Sequence, residues 1–188
     1  MIEKINIFWF RRDLRLDDNC GFFNALQSKN KVLPIFIFDT DILDKIPKND
    51  ARVAFIHETL QQMRAELQNK NAGDIAIFNG KPIEIFKKIS EKYAIEAVFA
   101  NHDYEPYATK RDQEIGSFLQ EKNIEFLTFK DQVIFEKSDI VKKDGNPYVV
   151  YTPFMRAWKE KFKNEKIVHF NSENHLKNLL NEFDFQFL

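Results

Sequence analysis

Five short apolar segments alternate along the chain with longer segments in which apolar residues recur at helical spacing. The apolar segments predict strands at 5–10, 32–38, 75–78, 97–100 and 124–129. Nearly every position in them is apolar, which is typical of parallel strands covered by helices on both faces. The alternation therefore predicts an α/β fold, a doubly wound, Rossmann-like sheet of five parallel strands in the order 3-2-1-4-5.

Four helices are expected between and after these strands. Asn19 and Asp50 are suitable N-caps for helices that begin directly after them, and Pro82 suits the first turn of another. A last helix of the sheet is expected at 107–122. The second helix, at 51–68, is predicted to carry an apolar stripe made of Val53, Phe55, Ile56, Leu60, Met63 and Leu67.

The strand order predicts where a ligand would bind. It brings together the ends of strands one and four, where Phe10-Arg11 and Asn101-His102 follow the apolar segments. In open α/β sheets, ligands bind at this reversal of strand order, beside the carboxyl ends of the strands. Phe10 and Phe38 could line an apolar slot, and Asp39 could add a polar group that orients a ligand in it. For Phe8 and Phe36, plain core packing is the favoured interpretation.

Composition excludes some classes of function. The net charge is −1 with acids and bases interspersed, unlike the clustered basic face of a nucleic-acid-binding surface. Cys20 is the single cysteine, so an internal disulfide is excluded. No signal peptide or membrane-length apolar segment is recognisable, so a cytoplasmic protein without membrane contact is expected. No metal-ligand spacing is found around the histidines, so no metal site is predicted.

Three segments carry a family resemblance. The stretch Trp9-Phe10-Arg11-Arg12-Asp13-Leu14-Arg15 with Asp18-Asn19 resembles the opening signature of the DNA photolyase and cryptochrome family. Tyr104-Glu105-Pro106 with Arg111-Asp112 is similar to a segment that lines the antenna-chromophore pocket in that family. A third match runs from Asp144-Gly145-Asn146-Pro147-Tyr148 to Thr152-Pro153-Phe154 and Trp158. The chain thus resembles the family's N-terminal α/β domain, and is most like the photolyases of cyclobutane pyrimidine dimers.

The resemblance implies a chromophore site. In the deazaflavin-using branch, positions matching Arg52, Asp103, Glu105 and Arg111 belong to the antenna pocket. The folate-using branch has a glutamate where this chain has Ala108. An 8-hydroxy-5-deazaflavin or FMN antenna is therefore favoured over methenyltetrahydrofolate. With the residues at the reversal of strand order, the candidate set is Phe10, Arg11, Phe38, Asp39, Arg52, Asn101, Asp103, Glu105 and Arg111.

The resemblance also implies the organisation of the whole protein. Residues 1–130 would be the antenna-binding domain, 131–162 an extension packed on it, and 163–188 the start of a linker to a helical domain that this chain lacks. The closing aromatic residues support a chain cut from something longer. That helical domain would bind FAD, and the whole protein, expected to be a monomer, would act on UV-damaged DNA. No catalytic residue is assigned here, and the chain alone is expected to be inactive.

Two alternatives are open on the sequence. A cryptochrome, which is a blue-light receptor, would share the same N-terminal domain. A stand-alone nucleotide- or flavin-binding α/β protein, comparable to a subunit of an electron-transfer flavoprotein, belongs to a different class.

Overall fold

A five-stranded parallel sheet with the order β3-β2-β1-β4-β5 organises the chain. The computed structural model describes residues 4–183. The strands are β1 (Lys4–Phe10), β2 (Val32–Asp39), β3 (Ala76–Gly80), β4 (Ala94–Asn101) and β5 (Glu125–Phe129). All four pairings are parallel. The predicted fold class and strand order are confirmed.

Within residues 4–183, six α-helices flank or follow the sheet. They are α1 (Cys20–Leu26), α2 (Thr40–Leu43), α3 (Ala51–Asn69), α4 (Pro82–Lys92), α5 (Pro106–Glu121) and α6 (Tyr151–Phe162). Asn19 Oδ1 accepts a hydrogen bond from Phe22 N, and Asp50 Oδ1 accepts one from Arg52 N, so both predicted N-caps are confirmed. The short helix α2 was not predicted, because it is a single turn. Within residues 4–183 none of the helices combines the length and apolar character that a membrane span requires.

Alternate side chains of the strands point to two separate cores. Phe8 and Phe10 point toward α1 and α3 and pack with Phe22, Leu60 and others. Ile7 and Trp9 point toward α4 and α5 and join the second core. Phe8 and Phe10 are fully buried and meet edge to face with ring centroids 4.6 Å apart. The aromatic residues at the end of β1 are therefore held rigidly on both faces of the sheet.

One predicted core position in α3 is wrong. Phe55 is 69% exposed, whereas Leu60, Met63 and Leu67 are buried. At about 3.6 residues per turn, Phe55 lies about a third of a turn from the centre of the buried stripe, on an exposed side of the helix. An apolar residue beside an apolar stripe need not belong to it.

The extension after β5 crosses the carboxyl edge of the sheet and then forms a loosely packed helix. None of the α6 residues is buried. It contacts the preceding part of the extension, where the rings of Phe135 and Trp158 meet edge to face with centroids 5.4 Å apart. The helix α6 therefore rests on the extension more than on the sheet.

Residues 170–180, which the sequence assigns to the start of a linker, are anchored beside α1 and β2. A 3₁₀ helix at Ser172–Asn178 brings Leu176 and Leu179 into the core beside α1. Leu180 N donates to Val32 O at 2.8 Å, alongside a part of β2 that precedes its pairing with β3. Apolar residues too few to form a periodic pattern are enough to anchor this segment. The closing residues Phe185, Phe187 and Leu188 lie outside the described residues.

Candidate functional site

A cavity of about 340 Å³ opens at the carboxyl edge of the sheet. The ends of β1 and β2 form its floor, and α2, α3, the loop 102–105 and α5 form its walls. Such an edge is where α/β proteins bind ligands, and the volume falls within the range of small-molecule sites. Its lining comprises Trp9, Phe10, Arg11, Arg12, Phe36, Ile37, Phe38, Asp39, Ile42, Leu43, Ile46, Arg52, Val53, Ile56, Asp103, Glu105 and Arg111.

Eight of the nine candidate residues meet in this one cavity. They are Phe10, Arg11, Phe38, Asp39, Arg52, Asp103, Glu105 and Arg111. They come from five structural elements between positions 10 and 111. The fold therefore brings together the residues predicted from the reversal of strand order and those predicted from the family resemblance.

Asn101 is the one candidate residue that does not line the cavity. Its side chain is buried and accepts a hydrogen bond from Gly21 N at 2.8 Å. Its Nδ2 donates to Asp13 Oδ2 at 2.6 Å and to Asn19 Oδ1 at 2.8 Å. A strand-end position at the reversal of strand order does not fix the direction of the side chain. Asn101 supports the β1 loop from behind.

Phenylalanine rings make the apolar floor. Phe36 and Phe38 meet edge to face with centroids 5.0 Å apart, and both line the cavity. Phe10 lines it as well, while Phe8 belongs to the core behind it. Phe36 therefore serves both the core and the cavity, although core packing alone was favoured for it.

Two buried guanidinium groups share one carboxylate beside this floor. Arg11 Nη1 donates to both oxygens of Asp112, at 2.7 and 2.6 Å, and Arg111 Nη2 donates to Asp112 Oδ1 at 3.0 Å. The side chains of Arg11 and Arg111 are only 6% and 9% exposed. Both guanidinium carbons lie near the ring of Trp9, at 5.1 and 4.8 Å from its centroid.

The loop 102–105 contributes the acids of the cavity wall. Asp103 is 9% exposed and lies 3.5 Å from Arg12 Nη1 and 4.0 Å from Arg111 Nη2. Glu105 accepts from Arg12 Nη1 at 2.8 Å and is mostly exposed. The acids are thus neutralised by arginines of the cavity, and the wall has no large excess of either charge.

Arg52 stands at the mouth of the cavity. Its guanidinium donates to the Asp50 carboxylate at 2.9 and 2.7 Å, and its side chain is 74% exposed. The hydrogen bond from the Arg52 side chain lowers the pKa of Asp50 to about 2. The structure therefore shows Arg52 as a solvated side chain held by its own N-cap residue and not reaching toward Asp39 or Glu105.

Tyr107 is a functional candidate that the sequence analysis missed. Its hydroxyl donates to Asp39 Oδ2 at 2.6 Å, and this bond joins α5 to the end of β2. Burial, followed by the hydrogen bond to Asp39, raises the pKa of Tyr107, so the hydroxyl stays protonated and donates. A signal was present in the sequence, because Tyr107 lies in the first turn of the helix that carries the candidate residue Arg111.

No group of three or more histidine, cysteine, aspartate or glutamate side chains in residues 4–183 is placed to hold a metal ion. The chemistry that the cavity offers is binding. It combines an aromatic floor with arginine donors.

Comparison with known proteins decides the family. The family model described as DNA photolyase matches residues 6–172. The chain belongs to the DNA photolyase family. It corresponds to the N-terminal α/β domain of that family, as the resemblance of its motifs implied.

A curated relative and two solved structures illustrate the relationship. The chain is 32% identical over 152 residues to the deoxyribodipyrimidine photo-lyase of a Synechococcus strain, covering 81% of this chain and 31% of the relative. The class III photolyase of Agrobacterium tumefaciens superimposes with a TM-score of 0.73 at 27% identity, over 85% of this chain and 32% of that one. The archaeal photolyase of Sulfolobus tokodaii gives 0.69 at 26% identity, over 92% of this chain and 41% of that one.

The matches cover only part of each of these relatives. It spans about a third of the length of the Synechococcus relative. The Sulfolobus tokodaii structure contains two FAD molecules and is described as implying a novel light-harvesting cofactor. Flavin binding is thus a property of at least one relative of similar fold.

Proposed function

We propose that this chain is the antenna-binding domain of a deoxyribodipyrimidine photolyase, and that the cavity at the carboxyl edge holds a light-harvesting chromophore. The observation that carries the proposal is that eight of the predicted residues, from five structural elements, line one cavity. A planar chromophore needs an apolar slot with a few fixed polar groups, and this cavity has both.

The residues present fit such a group. Arg11 Nη2 is buried and has no hydrogen-bond acceptor within residues 4–183, although Arg11 lines the cavity. Unsatisfied buried donors are uncommon in native proteins, because each costs about 1–3 kcal/mol. A carbonyl or ring oxygen of a ligand that enters deeply would supply the missing acceptor after a small side-chain adjustment.

Each part of the cavity has a role in binding. Phe10, Phe36 and Phe38 offer aromatic faces and edges against which a flat ring can pack. Arg11 and Arg111 present positive charge at the inner end, held in place by Asp112. The bound chromophore would supply absorption of light and transfer of excitation energy to the FAD of the whole protein.

A flavin-like chromophore is the preferred class. Where the folate-using branch has a glutamate, this chain has Ala108, which is 3% exposed within α5. The pattern of the folate-using branch is therefore incomplete in this chain. The carbonyl oxygens of an 8-hydroxy-5-deazaflavin or FMN suit the arginine donors of the cavity.

The activity of the whole protein is part of the same proposal. A photolyase of this kind would use FAD outside this domain to repair cyclobutane pyrimidine dimers in UV-damaged DNA, as a monomer in the cytoplasm. The chain alone has no assigned catalytic residue. We therefore expect no light-dependent dimer repair by the 188-residue chain, even with added FAD.

Titration of the chain with FMN, 8-hydroxy-5-deazaflavin and methenyltetrahydrofolate, followed by fluorescence, tests the proposal. We expect either flavin-like compound to bind more tightly than the folate. Phe38→Ala should weaken binding, because it removes one ring of the apolar floor. The control is Phe55→Ala, which removes an equally large ring from the exposed side of α3 and should leave binding unchanged.

Tighter binding of the folate would overturn the choice of chromophore. Equal loss in both phenylalanine variants, or no binding of any of the three compounds, would overturn the assignment of the cavity. If adenine nucleotides bind with the same affinity as FMN, the stand-alone nucleotide-binding alternative would be favoured.

A further inference from the structure

Glu136, in the extension beyond the sheet, makes contacts that the binding cavity alone does not explain. Its side chain is 14% exposed and lies between two side chains of the loop 102–105. Its two oxygens accept from His102 Nδ1 at 2.8 and 2.9 Å, and Oε1 also accepts from the Tyr104 hydroxyl at 2.5 Å. A single carboxylate thus holds the loop at two points.

The same loop residues alternate in direction. His102 and Tyr104 face Glu136, while Asp103 and Glu105 line the cavity on the other side. In extended backbone, neighbouring side chains point to opposite sides. Hydrogen bonds that fix His102 and Tyr104 therefore also fix Asp103 and Glu105 in the cavity wall.

The protonation states favour a firm attachment. A carboxylate can only accept, so Nδ1 of His102 carries a proton, and Nε2 faces Thr128 Oγ1 at 3.1 Å. Burial, followed by the hydrogen bond to Glu136, raises the pKa of Tyr104, so its hydroxyl remains a donor. The contacts are charge-assisted and partly shielded from water, which makes them stronger than neutral ones.

Glu136 is itself fixed by the extension. Its backbone N donates to Asp139 Oδ2 at 2.7 Å, and Asp139 N donates back to Glu136 O at 2.6 Å. Lys161 of α6 donates to Asp139 O at 2.8 Å. A continuous set of contacts therefore runs from α6 through Asp139 and Glu136 to the cavity wall.

We propose that Glu136 is a positioning residue, which sets the geometry of the chromophore cavity from outside by holding the loop 102–105. This inference rests on the proposed function for its effect on binding. It makes a second, independent claim about the loop itself, namely that the loop loosens when the carboxylate is removed.

The experiment compares the 188-residue chain with its Glu136→Ala variant, and uses Asp144→Asn as the matched control. Asp144 is an acid of the same extension that hydrogen-bonds only within its own turn, to Asn146 N at 3.0 Å. We expect Glu136→Ala to weaken FMN or deazaflavin binding by about three- to thirty-fold, the usual size of such indirect effects. Asp144→Asn should bind like the parent.

Hydrogen exchange of the chain without ligand supplies the second measurement. Amides of 102–105 should exchange about five-fold faster or more in Glu136→Ala, with those of β1 and β2 unchanged. His102→Ala should produce a similar change, and the double variant should lose less affinity than the sum of the two, because both changes break one contact.

The possible results separate the two proposals. If the parent binds chromophore and Glu136→Ala binds equally well, the positioning role is refuted and the proposed function stands. If the parent binds none of the compounds, the proposed function fails, and the exchange of 102–105 still decides whether Glu136 holds the loop. Uniformly faster exchange over the whole sheet would refute a local role.

Discussion

Asp13 and Asn101 lie 88 positions apart in sequence, and Asn101 Nδ2 donates to Asp13 Oδ2 at 2.6 Å. Asp13 Oδ1 in turn accepts from Arg11 N at 2.8 Å. The end of β4 therefore fixes the backbone from which the Arg11 side chain enters the cavity. Both polar side chains are buried, so the loss of one hydrogen bond would leave a buried polar group without a partner and destabilise the fold.

Gly21→Ala should disturb that network. A Cβ at Gly21 would lie 2.5 Å from Asn101 Oδ1 and 3.1 Å from the Phe8 ring. We expect a loss of about 1–3 kcal/mol in the free energy of unfolding, measured by urea denaturation. The matched control is Gly116→Ala in α5, where the nearest atom, of Phe126, is 3.6 Å away. There the substitution should be neutral or stabilise by about 0.5–1 kcal/mol. Equal effects at both glycines would contradict the close packing of Asn101 on α1.

Arg11→Met and Arg52→Ala should separate a buried arginine from an exposed one. Arg11→Met leaves Asp112 with Arg111 alone in a buried setting, so we expect a loss of about 2–4 kcal/mol in stability. Chromophore binding by the folded fraction should also fall. Arg52 is paired with Asp50 in solvent, so Arg52→Ala should leave the urea midpoint unchanged and lower chromophore affinity by less than about ten-fold. A larger loss for Arg52→Ala without unfolding would show that it turns into the cavity when ligand binds.

The pair Arg64 and Asp74 should make stability depend on acid pH. Burial alone would raise the pKa of Asp74, but hydrogen bonds from Arg64 and from Ile75 N outweigh it and hold the pKa below its usual range. A carboxyl whose pKa is lower in the folded state stabilises the protein above its unfolded value of about 3.9, and this contribution is lost as the pH falls further.

At pH 7, Asp74→Asn should lower the free energy of unfolding by about 1.5–3 kcal/mol, because Arg64 loses two charge-assisted bonds. The difference from the parent should shrink as the pH falls from about 4, near the ordinary pKa of aspartate, to about two units below it. Glu66→Gln, in an exposed pair with Lys70, is the control and should change little. A difference that does not vary with pH would show that the Asp74 contact stabilises by packing alone.

Cys20 should be a sensitive reporter of unfolding, since it is the single cysteine of the chain. Burial, with a smaller contribution from Asp131, raises the pKa of its thiol to about 11. At pH 8 the folded protein would then hold roughly a thousandth of the thiol as thiolate, against roughly a quarter in the unfolded chain. Reaction with a disulfide reagent should be at least roughly a hundred-fold slower without urea than with it. Fast reaction of the folded chain would place the thiol near solvent.

The strand order could be predicted because each strand is apolar at almost every position and is followed by a polar loop and a helix. The same regularity located the cavity, since parallel strands end at one edge. The periodic pattern failed where a residue lies beside the stripe, as Phe55 does, or where too few residues carry it, as in Ser172–Asn178.

Side-chain direction could not be predicted for residues just beyond a strand. Asn101 and Arg11 both follow apolar segments, yet only Arg11 enters the cavity. The difference depends on which polar partners the fold brings near, and those partners, Asp13, Asn19 and Gly21, are distant from Asn101 in sequence. Arg52 finds its partner two residues away at the N-cap, which competes with any reach across the cavity.

The contact of Leu179 and Leu180 with Val32 has a consequence for how the chain folds as it is synthesised. Residues near position 180 occupy the space beside the start of β2, and Leu176 and Leu179 cover part of α1. A ribosome releases the sheet, with all five strands, well before it releases this segment. During that interval, apolar surface on α1 and an unpaired part of β2 are open to other chains. We therefore expect a stage of synthesis in which the carboxyl edge of the sheet is formed while α1 and the start of β2 are still exposed to association with other chains.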